Sequence, residues 1–454
     1  MNRNRAWVGL IGIWLVLACV CSAAGIWGIV RLAQRTESGT LAEQPVAGRS
    51  SAQVNGRIAY VGTDGNIYTL LPDGSGLQSV TQDGPAAAER FNMLAWSPDG
   101  QLAFVSATEQ GSALFTAHAD GSARTQVYAG EPDAIPFYLY WSPDGNRLAF
   151  LTTARSGRTA LWLAESQEAD SAKTIERGSP YYFSWSPDSR SLLMHIGGSR
   201  TVSPEAHVSI FQPDSSATQE LADAPGEFQT PAWSPDGKRF LFVRQTEQQG
   251  DELVLAEGDS RRVLASSRSG LIFTASPRDA ATRRNRIALA AFDPGNMLVY
   301  NSINVMDADS LARRPVAQGD IVSFFWSPDG ERLAVLDVDS SKQGPQGRAL
   351  PINWPSRSDA QQNRVQLTWS VINVADGTSV DFPSFRPTDS FLSIIPYFDQ
   401  YAQSLSLWSP DGRYLTFADV DDQGKTFVCV LDTTRPGQPV QRLTEGTFSA
   451  WSWR

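Results

Sequence analysis

From about residue 57 to its end, the chain carries short apolar runs separated by polar, turn-prone stretches. Arg147–Thr152 (RLAFLT), Arg239–Val243 (RFLFV) and Arg332–Leu336 (RLAVL) are typical: too short for helices, and rich in residues that suit a pleated, half-buried surface. A second run follows (Ala160–Ala164, Glu252–Ala256, Phe427–Leu431), and then a third (Arg261–Ala265, Val440–Thr444). Each group is preceded by the pentapeptide WSPDG or a variant of it. Intact copies stand at Trp96–Gly100, Trp141–Gly145, Trp233–Gly237, Trp326–Gly330 and Trp408–Gly412. Trp185–Ser189 reads WSPDS, Ala275–Asp279 is a decayed copy, and the chain closes on Ala450-Trp451-Ser452. The steps between copies are 45, 44, 48, 42, 51, 82 and 43 residues, a period in the range of propeller blades.

The motif has a physical reading. Proline presets φ for a type I turn, aspartate bonds its own backbone, and glycine takes the left-handed position that follows. Asp99, Asp144, Asp188, Asp236, Asp329 and Asp411 are therefore turn residues rather than a catalytic ring. The tryptophans Trp96, Trp141, Trp185, Trp233, Trp326 and Trp408 end the preceding strand, where a large flat ring fills space between wedge-shaped blades. Each unit then reads as four short strands, A to D, with A just before the turn.

The ends of the array complete each other. Arg57–Val61, Asn66–Leu71 and Leu77–Thr81 resemble strands B, C and D with no A before them, and Phe448–Trp453 is an A strand with nothing after it. Pairing the two closes a ring and removes two exposed sheet edges. The expected fold is all-β: an eight-bladed β-propeller over 57–454, with seven blades as the alternative if the decayed unit is not a blade.

On these WSPDG copies the chain resembles the TolB-like (WD-like) β-propeller repeats, from about Arg57 to the C-terminus. The resemblance implies the fold. Propellers of this kind include envelope scaffolds, propeller domains of prolyl-oligopeptidase-type peptidases and polysaccharide lyases, so it leaves function open. TolB also carries an N-terminal α/β domain, for which the tether here offers no counterpart, so TolB's own role does not carry over.

Residues 1–5 are basic, and Ala6–Val30 then runs without a charge, long enough to cross a bilayer as a helix. A signal-anchor helix over 6–30 is the leading expectation, followed by a flexible tether over 31–56. A cleaved signal peptide (at Ser22-Ala23-Ala24) and a lipoprotein signal (at Cys19) stay open. The short tail would lie in the cytoplasm and the propeller outside, on a single-pass membrane protein.

Net charge is −10 overall and −14 beyond residue 35, which speaks against nucleic-acid binding. Of the three cysteines only Cys429 lies outside the apolar segment, so stability rests on packing without an intradomain disulfide. A peptidase needs a G-x-S-x-G elbow, and the sequence has none. His118, His195 and His207 are scattered, and Asp419-Val420-Asp421-Asp422 and Asp337-Val338-Asp339 lack the full calcium-loop spacing, so no metal or cofactor is expected.

The 82-residue step carries two insertions, Ser340–Arg364 between strands B and C and Phe382–Gln403 before the next A. B–C and D–A connections emerge on the same face, so both converge on one rim. Their aromatics, Trp354, Phe385, Phe391, Tyr397, Phe398 and Tyr401 (with Ile394 and Ile395), are the candidate binding residues; the alternative is that they pack on each other as a plug. The expected function is a non-catalytic, membrane-anchored scaffold that binds an envelope protein or a cell-wall glycan. The rival is a glycan- or peptide-cleaving propeller using channel-mouth carboxylates.

Overall fold

The computed structural model describes residues 56–84, 90–153, 158–227, 229–246, 250–277, 285–293, 296–338 and 365–454. The expected anchor at 6–30, the tether up to residue 55 and Trp354 lie outside them. Among the described residues no helix is long and apolar enough to cross a membrane.

The strands form a propeller-like succession of antiparallel sheets. The first pairs Ile58–Val61 with the C-terminal strand Phe448–Trp451, in the register Ile58↔Trp451 to Val61↔Phe448. Four-stranded sheets follow over Arg90–Gly130, Pro136–Gly178, Tyr181–Glu220 and Ala232–Ser267. The sixth sheet has seven strands between Leu271 and Asp381 and spans two copies of the repeat. Its long strand Arg313–Trp326 pairs with Asn296–Asp307 through its first half and with Arg332–Val338 through its second. The seventh sheet, Tyr414–Glu445, has three strands; an isolated bridge from Trp408 to Leu415 extends it inward, and one from Ser406 to Trp451 links this segment to the first sheet.

The turns behave as their residues require. The glycine N–H bonds the serine carbonyl three residues back in every intact copy, and Ser189 does so in the variant. Those glycines lie at φ between 67° and 93°, and Ser189 at 63°. In all six turns the serine Oγ donates to the aspartate Oδ1 at 2.5–2.6 Å.

The tryptophans do more than fill space. Trp141 Nε1 donates to the Ala95 carbonyl at 3.2 Å, Trp185 to Tyr140 at 3.1 Å, and Trp96 to Ala450 at 3.2 Å. Trp326 donates to Thr274 and Trp408 to Phe325, each at 3.2 Å. Every acceptor is the residue just before the tryptophan position of the neighbouring unit, so one bond recurs from unit to unit. Trp233 and Trp451 keep the position, but their Nε1 atoms have no partner.

This topology gives the ring two faces. The WSPDG hairpins form a turn face, and the B–C hairpins and unit-to-unit connections form a loop face opposite. Both ends of the described ring lie on the turn face. Arg57 N–H donates to Ser452 Oγ at 2.9 Å, and Gly56 is so close to Pro410 that a Cβ there would meet its ring at 2.9 Å.

Candidate functional site

The second insertion was expected as aromatic loop, and the structure makes it helical. Helix α1 (Asp389–Ile394), a single 3-10 turn (Ile395–Tyr397) and helix α2 (Phe398–Ser404) run in succession. Thr388 caps α1, accepting from Phe391 N–H at 3.2 Å and donating to the Thr447 carbonyl at 2.7 Å. The apolar residues Phe391, Ile394, Phe398 and Tyr401 recur at three- and four-residue steps, the period of a helix with one buried face.

That face points into the ring. Phe398 lies edge-on to Phe324, with centroids 4.7 Å apart, and also meets Tyr300 and Phe325. Tyr401 crosses Tyr138 at 5.2 Å and donates to the Phe137 carbonyl at 2.7 Å. Tyr138 returns a bond to the Gln400 carbonyl at 2.9 Å, and Gln403 reaches the Pro231 carbonyl at 3.1 Å. Helix α2 thus touches inner strands of the third, fourth and sixth sheets and the connection into the fifth. It is a plug.

The expected aromatic rim is corrected accordingly. Phe385, Phe391, Phe398 and Tyr401 are buried, and only Tyr397 stays half-buried. Phe385 packs on Phe417 at 4.4 Å and stacks over Trp369. Burying these rings removes more apolar surface from water than displaying them would, so they go to the core.

What the insertion does leave open is a cleft of about 390 Å³ on the loop face, between the sixth and seventh sheets. Its walls include Gln366, Ser384, Arg386, Asp419, Gln423 and Arg442. Arg442 Nη2 pairs with Asp419 Oδ2 at 2.6 Å, which keeps the guanidinium firmly charged. Arg386 donates to the Val420 carbonyl at 3.1 Å and to Asp422 at 2.7 Å. Burial works to raise the Asp421 carboxyl, but N–H bonds from Lys425 and Gln423 hold it below its ordinary range. The cleft offers guanidinium, carboxylate, amide and hydroxyl groups in one place, which suits a ligand rich in polar groups. Its sequence signal was the acidic run Asp419–Asp422, which reads by itself as a polar hairpin.

Other carboxylates on this face are pushed upward. Burial, then Asp381 and Asp320, raise Asp337 to about 7. Burial and Glu227 raise Asp251 to about 6, and burial raises Asp399 to about 6. His118 bonds Ser122 at the surface, His207 pairs with Glu176 at 3.2 Å, and His195 is enclosed. Burial pushes the Cys429 thiol up to about 12, as for an inert core cysteine. Among the described residues no group of three or more His, Cys, Asp or Glu side chains could hold a metal ion.

Residues 90–275 match the TolB beta propeller domain family. Over those residues the chain carries TolB-like β-propeller repeats. Among solved structures, the dihydro-heme d1 dehydrogenase NirN is 14% identical at a TM-score of 0.51, covering 91% of this chain and 77% of that one. A prolyl endopeptidase is 10% identical at 0.50, covering 80% of this chain and half of the peptidase. A putative TolB from Agrobacterium tumefaciens is 22% identical at 0.37, covering 62% of this chain and 96% of that one. Likeness at such identities speaks to fold alone, and the similar structures include enzymes as well as TolB. No curated protein matches the chain. The helical plug and the polar cleft beside it both lie outside the matched residues.

Proposed function

We propose that this protein is a membrane-tethered scaffold of the cell envelope, an eight-bladed propeller whose loop face binds a protein or glycan partner. The blade count takes the seven-stranded sheet as two blades sharing the strand Arg313–Trp326. The observation that carries the reading is the polar cleft at Arg386, Asp419, Gln423 and Arg442, on the face opposite the chain ends. A tether leaving from Gly56 at the turn face would hold that face toward an extracytoplasmic membrane surface and present the cleft outward. The experiment is Gln423→Trp, which fills the cleft from an exposed position. Crosslinked full-length protein should lose its envelope partner or its glycan binding while its melting temperature stays unchanged. Undiminished capture would sink the cleft as the binding site.

One observation favours a second reading, a glycan-cleaving propeller. Asp337, at about 7 beside Asp381, has the protonation behaviour of a general acid. Release of reducing ends from an oligosaccharide panel, lost in Asp337→Asn, would select it over the scaffold.

A further inference from the structure

The connection between the fourth and fifth sheets holds an arrangement that neither the fold nor the cleft requires. His195 is 2% exposed, and both of its ring nitrogens face backbone carbonyl oxygens: Nδ1 lies 2.9 Å from Gln229 O and Nε2 lies 3.1 Å from Gly198 O. Asp399, on the plug helix α2, is 4% exposed and accepts the Thr230 N–H at 2.9 Å through Oδ2. The Gln229 carbonyl and the Thr230 N–H belong to one peptide group. A histidine therefore sits at the oxygen end of that peptide and a carboxylate at its N–H end.

We propose that the Gln229–Thr230 peptide couples His195 and Asp399 into one acid–base unit that latches the plug to the ring.

A neutral imidazole has one N–H and one lone pair, so it can donate to only one of the two carbonyls. The imidazolium donates to both, but a charge in a dry interior needs compensation. Asp399 supplies it from the far side of the peptide. The carboxylate draws on the N–H and makes the carbonyl a better acceptor, and the imidazolium draws on the carbonyl and makes the N–H a better donor. Hydrogen bonds in such a chain polarise one another, so each charge supports the other.

The surroundings bring both groups toward the same pH. Burial lowers His195 below its ordinary value, against the carbonyls of Gln229, Gly198 and Gly226, with His207 as the neighbouring titratable group and the Tyr182 ring 5.8 Å away. Burial raises Asp399 to about 6, against N–H donors from Thr230 and Gln400, and the Tyr138 and Tyr300 phenols face its charge. Groups coupled in this way titrate as a pair rather than one by one.

The chain has only three histidines, so long-range ¹H–¹⁵N spectra of the full chain can follow each through a pH titration. Asp399→Asn keeps an oxygen for the Thr230 N–H and removes the charge. It should lower the His195 midpoint by about one unit, tenfold in proton affinity, and leave His118 and His207 in place. Asp337→Asn, in the sixth sheet, is the control and should leave all three in place. The latch has its own readout: at pH 7, amides of Phe398–Ser404 should exchange several-fold faster in Asp399→Asn, because a charge-assisted bond has become a neutral one. If Asp399→Asn folds poorly, His195→Gln gives the reciprocal test and should raise the Asp399 carboxyl midpoint, followed by ¹³C. A His195 midpoint unmoved in Asp399→Asn, or an Asp399 midpoint unmoved in His195→Gln, would overturn the coupling. Unchanged exchange in α2 would overturn the latch.

Discussion

The two faces of the ring use the same residue type in opposite ways. On the turn face an aspartate stands in all six WSPDG or WSPDS turns, bonded by its own serine and, in five of them, by the backbone N–H two residues on. The Ser186 and Ser234 hydroxyls hold Asp188 and Asp236 below the ordinary carboxylate range, and at Asp144 bonds from Ser142 and Asn146 outweigh burial. These carboxylates are satisfied mainly by residues of their own turn. On the loop face Asp251, Asp337 and Asp399 are brought by long-range packing into places where burial raises them to about 6, 7 and 6. Repeated local chemistry builds the ring; chemistry used once, from distant segments, accumulates where connections vary. Perturbed carboxylates of that second kind concentrate at functional sites, which is why the loop face carries the functional proposals.

The largest expected effect breaks the ring that both faces share. Removing residues 448–454 takes away the strand that pairs with Ile58–Val61 and the acceptor of Trp96 Nε1. Thermal unfolding should lose its cooperativity, or the protein should aggregate through the bared edge. A truncation that melts like the parent would show that the ring does not depend on this closure.

Next comes the plug. Phe398 is fully buried among Tyr300, Phe324 and Phe325, so Phe398→Ala should cost about 3–5 kcal/mol in urea unfolding. Tyr397→Ala, at the half-buried neighbour, should cost distinctly less. Equal losses would mean that the plug is not held by its inward face.

A smaller effect tests the bond between sheets. Trp141→Phe keeps an aromatic ring but leaves the Ala95 carbonyl without its donor, for a loss of about 1–3 kcal/mol from the orphaned group plus some packing. Trp233→Phe has no such bond to lose and should cost less by about 1 kcal/mol. If the two substitutions cost the same, the recurring indole bond contributes nothing beyond packing.

Much of the turn face was legible in the sequence because its interactions span a few residues. Trp-Ser-Pro-Asp-Gly encodes turn, strand end and spacing together, and the pairing of Phe448–Trp451 with Ile58–Val61 followed from a missing strand at one end and a surplus one at the other. The indole bonds were not legible, since their acceptors are backbone carbonyls of another unit. The helical plug could have been read: Thr388 is a cap, and Phe391, Ile394, Phe398 and Tyr401 keep helical spacing. The aromatic count drew attention to recognition, although the same rings supply core when a channel lies beside them. The peptide between His195 and Asp399 leaves no sequence trace, because it joins residues about 200 apart through main-chain atoms.

The contrast between the faces is tested most directly by one pair of substitutions, Asp236→Asn and Asp337→Asn, followed by urea unfolding at pH 4.5 and pH 8. Asp236 is held below its unfolded value, so its contribution is present above about pH 4 and fades as pH falls through the folded value. Its replacement should lose a few tenths of a kcal/mol at pH 8, since the turn is solvent-screened. Asp337 is held above its unfolded value, so the folded state binds the proton more tightly and stability drains away as pH rises from about 4 to about 7. Asp337→Asn should therefore stabilise the protein at pH 8, by on the order of 1 kcal/mol, with a smaller change at pH 4.5. Opposite signs at pH 8 are the predicted result. The same sign for both would contradict the division of the ring into a face that builds and a face that is free to act.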